Sequence, residues 1–542
     1  MNAPSEAAIG GAAPSPAGAP ETRGMELARL LVDCPSGARL VAGEPGTRIA
    51  RVVLDSRDIV AGDLFVGLPG EKADGASYAG EAFARGAAAV ALADDRADSV
   101  EAPSDRALVA CRAPRAFVAE AAAAMAGHPS RAMTVVAVTG TSGKTTTTWL
   151  LEAIFVAAGH ATGVIGTIEY RWGGSQKAAS LTTPDAVELQ RLLARMRRDG
   201  VTHVALEASS HALALDRLRA TSFDAAVFTN LSRDHLDFHL DMDDYREAKA
   251  RLFLELLPAS GKPSFAVMNA SDPEVQKVAA RSAVPCVGFG PGGDVHCTDL
   301  VADLDGTRGE LDLGGVRFPF ATRLVGAPHA ANIEAAAATA WRLGVPPEAI
   351  VRGIAALPAV PGRLESVRAG QPFRVVVDYA HKPDALERVL VSLRSLCAGR
   401  LITVFGCGGD RDAGKRPLMG AIAARLSDVV ILTSDNPRTE NPMAILAAIE
   451  EGVRSEGRTP VAEAVLGQGV VEAVVVVPER RTAIRRAIEI ARDGDLVLVA
   501  GKGHEDYQVV GTTKFHLDDR EEARAALAAR GWKKEEVAAR DG

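Results

Sequence analysis

The sequence predicts an α/β protein of several domains, built on parallel sheets whose strand ends carry the chemistry. Three observations point there. The chain has 542 residues, and at roughly 150 residues per domain it is long enough for three or four cores. Short unbroken runs of Val, Leu and Ile alternate with helical stretches, the pattern of strands buried on both faces. Where these runs end, glycine or polar residues follow, at 140–144, 207, 230, 378, 406–410, 435 and 501–505. In open α/β sheets the crevice beyond the carboxyl ends of the strands is where ligands bind.

Composition narrows the class. Apolar residues make up 47% and charged residues 24%, ordinary for a globular protein. A net charge of −8 argues against a general binder of nucleic acid or of membrane surfaces. The six cysteines, at 34, 111, 286, 297, 397 and 407, include no C-x-x-C pair, which fits a reducing compartment and offers no zinc site. There is no apolar run of about 18 residues to span a bilayer. Residues 1–24 are rich in Ala, Gly and Pro and lack both a basic start and an apolar stretch. They read as a disordered tail and not a signal peptide, so a cytoplasmic protein is expected, acting as a monomer.

Two Pro/Gly-punctuated stretches divide the chain, AGHPSR at 126–131 and LPAVPGR at 357–363. The expected domains are therefore 25–128, 129–360 and 361–542. Strands are expected in the first at 51–56 and 88–93, and in the second at 134–139, 202–208 and 225–230. The third should hold strands at 374–380, 401–406, 428–435 and 495–503.

The most specific local signal is TGTSGKTT, residues 139–146. Gly140, Thr141, Ser142 and Gly143 can turn backbone N–H groups inward, and the helix beginning near Thr145 adds positive potential for phosphate. Lys144 suits the β/γ-phosphates and the Thr145 hydroxyl suits Mg²⁺, with Thr146 completing the string. The common spacing of such loops would place glycine where this chain has Val138. A second glycine pattern, Gly288, Gly290 and Gly293, satisfies G-x-G-x-x-G but precedes no helix, so it reads as a turn. His235 and His239 are four apart, as a zinc pair on a helix would be, but no third ligand accompanies them.

The ordered strings GTSGKTT, EASSH (207–211), NLSRDHLD (230–237), DYREAKARL (244–252) and DYAHKPDAL (378–386) together resemble the Mur ligase family. The strings GCGGDRDAGKRP (406–417), SDNPRTENP (434–442) and AGKGHEDYQ (500–508) narrow the resemblance to the branch that adds the third peptide residue. The similarity runs from about Leu54 to Gln508. It implies three parts: an N-terminal α/β domain for a uridine nucleotide, a central P-loop-type domain for ATP and a C-terminal Rossmann-like domain. It also implies an ATP-dependent amide ligase that adds meso-diaminopimelate to UDP-N-acetylmuramoyl-L-alanyl-D-glutamate through an acyl phosphate, in cell-wall precursor synthesis. Other readings are a lysine-adding ligase, a folylpolyglutamate synthase and, outside the class, a P-loop kinase or regulatory NTPase.

The resemblance also assigns residues. Glu207, His235 and Lys249 join Thr145 at Mg²⁺, and Lys249 carries a carbamate, although read alone it is a lysine on a helix surface. Asn332, Arg363, Asp378 and His381 join the loop at the nucleotide, with Arg363 arriving from just past the second linker. Leu54, Ser56, Glu71, Lys72 and Ala73 are implied at the uridine nucleotide, whereas DSR (55–57) read alone is a turn. Thr182, Thr183, Ser209 and Arg217 are implied at the muramoyl dipeptide. Arg411, Asp435, Asn436, Pro437, Arg438, Gly501 and Glu505 are implied at diaminopimelate, with the Arg438 fork suited to its distal carboxylate and Glu505 to an ammonium. The chain departs from the family pattern at Leu215, His329 and Lys382.

Overall fold

The computed structural model describes residues 24–70, 74–326 and 328–532. The chain divides into two compact units, one ending at Met125 and one beginning at Ala126. The α/β reading holds throughout, with a mainly parallel sheet in each expected part.

The N-terminal unit carries a five-stranded sheet in the order Ala38–Ala42, Ala107–Cys111, Ala89–Ala93, Leu64–Val66, Val52–Val53. All its pairings are parallel except that of Ala38–Ala42 with Ala107–Cys111. The strand expected at 51–56 is shorter than its apolar pattern, because the Asp55 side chain accepts from the Arg57 N–H and turns Ser56–Asp58 into a 3₁₀ helix.

In the second unit, strand Thr134–Thr139 lies between His203–Glu207 and Ala225–Phe228, parallel to both. Thr162–Ile165 extends one side, and Phe265–Asn269 followed by Cys286–Phe289 extends the other, also in parallel. The chain passes from Thr134–Thr139 to one side of the sheet and, after His203–Glu207, crosses to the other, which opens a crevice at the carboxyl end of Thr134–Thr139. Val135, Val136, Ala137 and Val138 are fully buried between two apolar layers. Each aliphatic side chain so buried contributes roughly 1.5–3 kcal/mol relative to exposure. Five more strands extend this sheet to eleven: Glu169–Trp172 and Ser175–Ala178, antiparallel, at one end, and at the other Val295–Asp303, joined in parallel, followed by antiparallel Gly306–Leu313 and Val316–Thr322. The G-x-G-x-x-G string forms the turn leading into Val295–Asp303, as its missing helix implied.

The last sheet runs Glu365–Ser366, Arg374–Asp378, Leu496–Ala500, Leu401–Phe405, Val429–Leu432, Ala473–Val476. Its last five strands are parallel, and Asp378 pairs in register with Ala500. Asp378, Gly406, Asp435 and Gly501 thus come off neighbouring strand ends. Among the described residues, no helix is long and apolar enough to cross a membrane.

Candidate active site

The phosphate loop leaves the buried strand at Thr139 and enters helix Lys144–Ala157. Its two glycines are required by geometry. Gly140 (φ +141°) and Gly143 (φ +86°) adopt backbone angles that L side chains rarely take, and a Cβ would collide with Thr229 Oγ1 at the first and Asn332 Oδ1 at the second. Val138 lies inside the strand, so the turn starts two residues later. Residues 229–232 cradle the loop: Asn230 Oδ1 accepts from the Ser142 N–H (3.0 Å), and Thr229 Oγ1 donates to Ser142 O (2.6 Å).

Lys144 donates to the carbonyls of Gly140 (2.9 Å) and Thr141 (3.0 Å). Burial, with the Lys382 cation nearby, pulls its ammonium down to about 8. The Thr145 hydroxyl faces Glu207 Oε1 at 3.0 Å, and Arg363 Nη2 donates to the same hydroxyl at 3.3 Å. Glu207 is 1% exposed at the end of its strand, held by the N–H (2.8 Å) and the hydroxyl (2.9 Å) of Thr167.

Lys249 does not sit on a surface. It is 1% exposed on helix Met242–Arg251, which the Asp241 side chain caps, and its Nζ donates to Gly140 O at 3.0 Å. The Tyr245 ring lies 4.5 Å away. Burial first, and the Lys144 charge second, hold its ammonium well below the usual lysine range. A lysine so placed is more often a neutral amine, the form that reacts with CO₂.

Asn332, Asp378 and His381 lie on the same cavity of about 810 Å³ as the loop, Glu207, Lys249 and Arg363. Asp378 accepts from the N–H groups of Leu364 and Ala380, both at 2.7 Å, so it ties the linker after residue 360 to its strand end. His381 Nδ1 lies 2.7 Å from Tyr379 O, and burial keeps the ring neutral. His329, 4% exposed, is held down to about 4 by burial.

Thr182, Thr183, Ser209 and Arg217 also converge here. Thr183 Oγ1 donates to Glu207 O (2.7 Å) and accepts from the Ser209 N–H (3.1 Å), and Arg217 Nη1 donates to Thr183 O (3.1 Å). The Thr182 hydroxyl lies 3.2 Å from that of Thr167. Leu54 and Ser56 lie in the N-terminal unit, where Ser56 is 7% exposed and its hydroxyl lies 3.4 Å from Glu81 Oε2. Glu71, Lys72 and Ala73 lie outside the described residues.

A second cavity, of about 1580 Å³, is lined by Arg411, Asp435, Asn436, Arg438, Gly501 and Glu505, and Pro437 shapes the turn between two of them. Arg438 stands at φ +51°. The hairpin of Tyr507–Val510 and Thr513–His516 fixes it there: the Arg438 N–H donates to Val509 O (3.0 Å) and the Gly511 N–H to Arg438 O (2.7 Å). Its Nη1 donates to Gly409 O at 2.6 Å. Glu505 already has partners, since Asn436 Nδ2 (3.0 Å) and the fully buried Lys502 Nζ (3.2 Å) both donate to its Oε2. Lys502, although inside AGKGHEDYQ, and Thr167 carry no local signal of their part in the site, because their partners come together only in the fold.

His235, at φ +52°, lines both cavities and lies 3.0 Å from Asp234 Oδ2 through its Nε2. Residues 235–239 form a turn and no helix, so the two histidines do not share a helical face. His239 is buried against Asp244 at 3.1 Å. Among the described residues, no three His, Cys, Asp or Glu side chains gather as a metal cluster. What the site offers is a pair of hard oxygens, Thr145 Oγ1 at the loop and Glu207 Oε1 at the neighbouring strand end. That partial set fits magnesium, which takes most of its shell from phosphate and water.

Three profiles match the chain in order: Mur ligase family, catalytic domain (48–131), Mur ligase middle domain (138–340) and Mur ligase, glutamate ligase domain (362–503). The UDP-N-acetylmuramoyl-L-alanyl-D-glutamate–2,6-diaminopimelate ligase of Geobacter metallireducens is 44% identical over 507 residues, covering 93% of this chain and 98% of that protein. The chain belongs to the Mur ligase family. The ligase of the same description from Gloeobacter violaceus is 46% identical over 490 residues, covering 90% of this chain and 95% of that protein. A solved structure of a UDP-N-acetylmuramoyl-L-alanyl-D-glutamate–2,6-diaminopimelate ligase superposes on this Mur ligase with a TM-score of 0.65 at 32% identity, covering 94% and 99% of the two chains.

Proposed function

We propose that this protein is the ATP-dependent ligase that joins meso-diaminopimelate to UDP-N-acetylmuramoyl-L-alanyl-D-glutamate, a step of cell-wall precursor synthesis in the cytoplasm. The observation that carries the reading is the meeting of the two cavities at Thr182 and His235. One has the fittings of a phosphate site and the other a guanidinium beside two carboxylates. A carboxylate held at the junction is within reach of both a nucleotide and an amine. The full similarity to relatives of that name supports the choice of substrates.

In this reading residues 25–128 bind the uridine nucleotide through Leu54, Ser56, Glu71, Lys72 and Ala73. Residues 129–360 bind ATP and the dipeptide, and residues 361–542 bind the amine. Thr182, Thr183, Ser209 and Arg217 hold the glutamyl carboxylate in line with the γ-phosphate. Lys144 and Arg363 offset charge on the transferring group, which is most of what phosphoryl transfer needs. Thr145, Glu207, His235 and a carbamate on Lys249 would hold Mg²⁺, which when bound supplies further charge neutralisation at the phosphate oxygens. Asn332, Asp378 and His381 shape the nucleotide end. Asp435 and Glu505, offset in part by Lys502, orient the amine. Arg438 and Arg411 face carboxylate.

The reading is tested by following phosphate release from ATP. A ligase of this kind releases phosphate steadily only when the nucleotide-dipeptide and the amine are both present. Steady release with ATP alone would favour a kinase-like or regulatory NTPase.

A further inference from the structure

We propose that Lys382 is a catalytic residue whose ammonium contacts the transferring phosphoryl group where the two cavities meet, with Asp234 as its positioning residue. The inference rests on the ligase reading above and adds a residue to it.

Lys382 stands where the transferring group must pass. In this reaction the bond between the γ-phosphorus and the ADP oxygen breaks as the carboxylate oxygen bonds to that phosphorus. The amine then forms the C–N bond, phosphate leaves with the C–O electron pair, and the amine nitrogen gives up its proton to water. The phosphoryl group therefore sits between nucleotide and amine in both steps. Among the described residues, Lys382 alone of the lysines and arginines lining either cavity lines both. Lys144, Lys249 and Arg363 line only the smaller one, and Arg411 and Arg438 only the larger.

The ammonium is also firmly held. Lys382 and Asp234 form an ion pair whose side chains are 14% and 12% exposed. His235 Nε2 reaches the same carboxylate oxygen, Oδ2, at 3.0 Å, so Asp234 joins the lysine to the histidine. Asp234 occupies one of the three ammonium donors and leaves others for phosphate oxygens. Two further contacts fix the same seam: Ser232 Oγ with Asp384 Oδ2, and Arg388 Nη2 with Ser142 Oγ at 3.3 Å. Helix Pro383–Arg394 is thereby pinned against the phosphate loop with Lys382 at its N-cap. The charge is felt there, as Lys382 is among the groups that lower Lys144 and Lys249. A lysine serving only as a strap would need the bond to Asp234 and no place on both cavities.

The experiment compares Lys382→Met, Lys382→Arg and Asp234→Asn in the full chain, with ADP affinity, melting temperature and single-turnover kinetics for each. Lys382→Met is expected to lower kcat roughly 100-fold, the scale for losing one preorganised donor to a developing charge. ADP affinity should stay within about twofold, because the contact is made chiefly to the group in transit. Lys382→Arg should restore most of kcat, and Asp234→Asn should lose less than Lys382→Met, since the cation remains. The proposal is overturned if Lys382→Met keeps wild-type kcat, if arginine restores nothing, or if Lys382→Met and Asp234→Asn lose equal activity with equal falls in melting temperature. Should the methionine variant not fold, Lys382→Gln carries the same comparison. Failure of the ligase reading would show differently, as wild-type phosphate release indifferent to the amine.

Discussion

Arg363 donates from Nη2 to the hydroxyl of Thr145 at 3.3 Å, across 218 positions of the chain. Its guanidinium carbon also lies 4.4 Å from the centroid of the Tyr379 ring, so it is held between linker and phosphate loop. A guanidinium brought to a phosphate from another part of the chain is worth roughly 10³-fold or more in phosphoryl transfer. Arg363→Ala should therefore lower the single-turnover rate of ATP cleavage by about that factor. Arg363→Lys should recover little, because an ammonium neither stacks on Tyr379 nor spans the same reach. Equal rates for wild type and Arg363→Ala would remove Arg363 from the site.

Lys249 carries the second prediction. Its burial and the Lys144 charge favour the neutral amine, and a carbamate formed there would place an anion beside that cation. Lys249→Ala should fold normally and lose ligation. Bicarbonate with a short carboxylic acid should restore part of it, and the intact mass of native protein should show one added CO₂ that the variant lacks. Full activity of Lys249→Ala would contradict the role.

How much of this was legible beforehand follows from how local each signal is. The phosphate loop could be read because its glycines, lysine and threonine are consecutive and each does its work within a few residues. The strands of Val, Leu and Ile were legible for the same reason. The burial of Lys249 was not, because it depends on Gly140, 109 positions away. The hairpins Glu169–Trp172 with Ser175–Ala178, and those from Val295 to Thr322, were missed because their polar side chains break the apolar runs that mark buried strands. The partners of Glu505 were hidden because Lys502 reads as one more charged residue until the fold buries it completely.

The pH dependence of stability should carry a histidine component. His203 stacks on His160 with ring centroids 3.9 Å apart, and burial with that neighbour lowers it from 6.5 to about 4. The unfolded chain takes up the proton first, so the contribution of a neutral His203 is complete above 6.5 and is lost as pH falls toward about 4. His203→Leu should flatten the fall of melting temperature over that window. An unchanged slope would mean that His203 titrates alike in both states.

Arg480 and Asp519 form a bidentate pair with both side chains 0% exposed, at 2.7 and 2.6 Å, and Arg480 also donates to Ala500 O at 2.9 Å. Removing one partner leaves a buried charge unpaired, at a cost of about 3–5 kcal/mol. Asp519→Ala should lose that much in denaturant unfolding. Replacing the pair by Met and Leu together should cost less, because neither charge then remains.

Arg438, which lines the larger cavity, is held at φ +51° by the hairpin with its Nη1 on Gly409 O. Diaminopimelate has a distal carboxylate and lysine does not, so the fork should decide between them. A site built to bind a missing group can reject the analogue by about 10⁴-fold. The most direct measurement is kcat/KM for both amines, with ATP and UDP-N-acetylmuramoyl-L-alanyl-D-glutamate, on wild type and Arg438→Ala. The expected result is a strong wild-type preference for diaminopimelate that the variant loses by about 2–5 kcal/mol in transition-state terms, with lysine use little changed. A wild type that prefers lysine, or a variant that loses both amines equally, would contradict it.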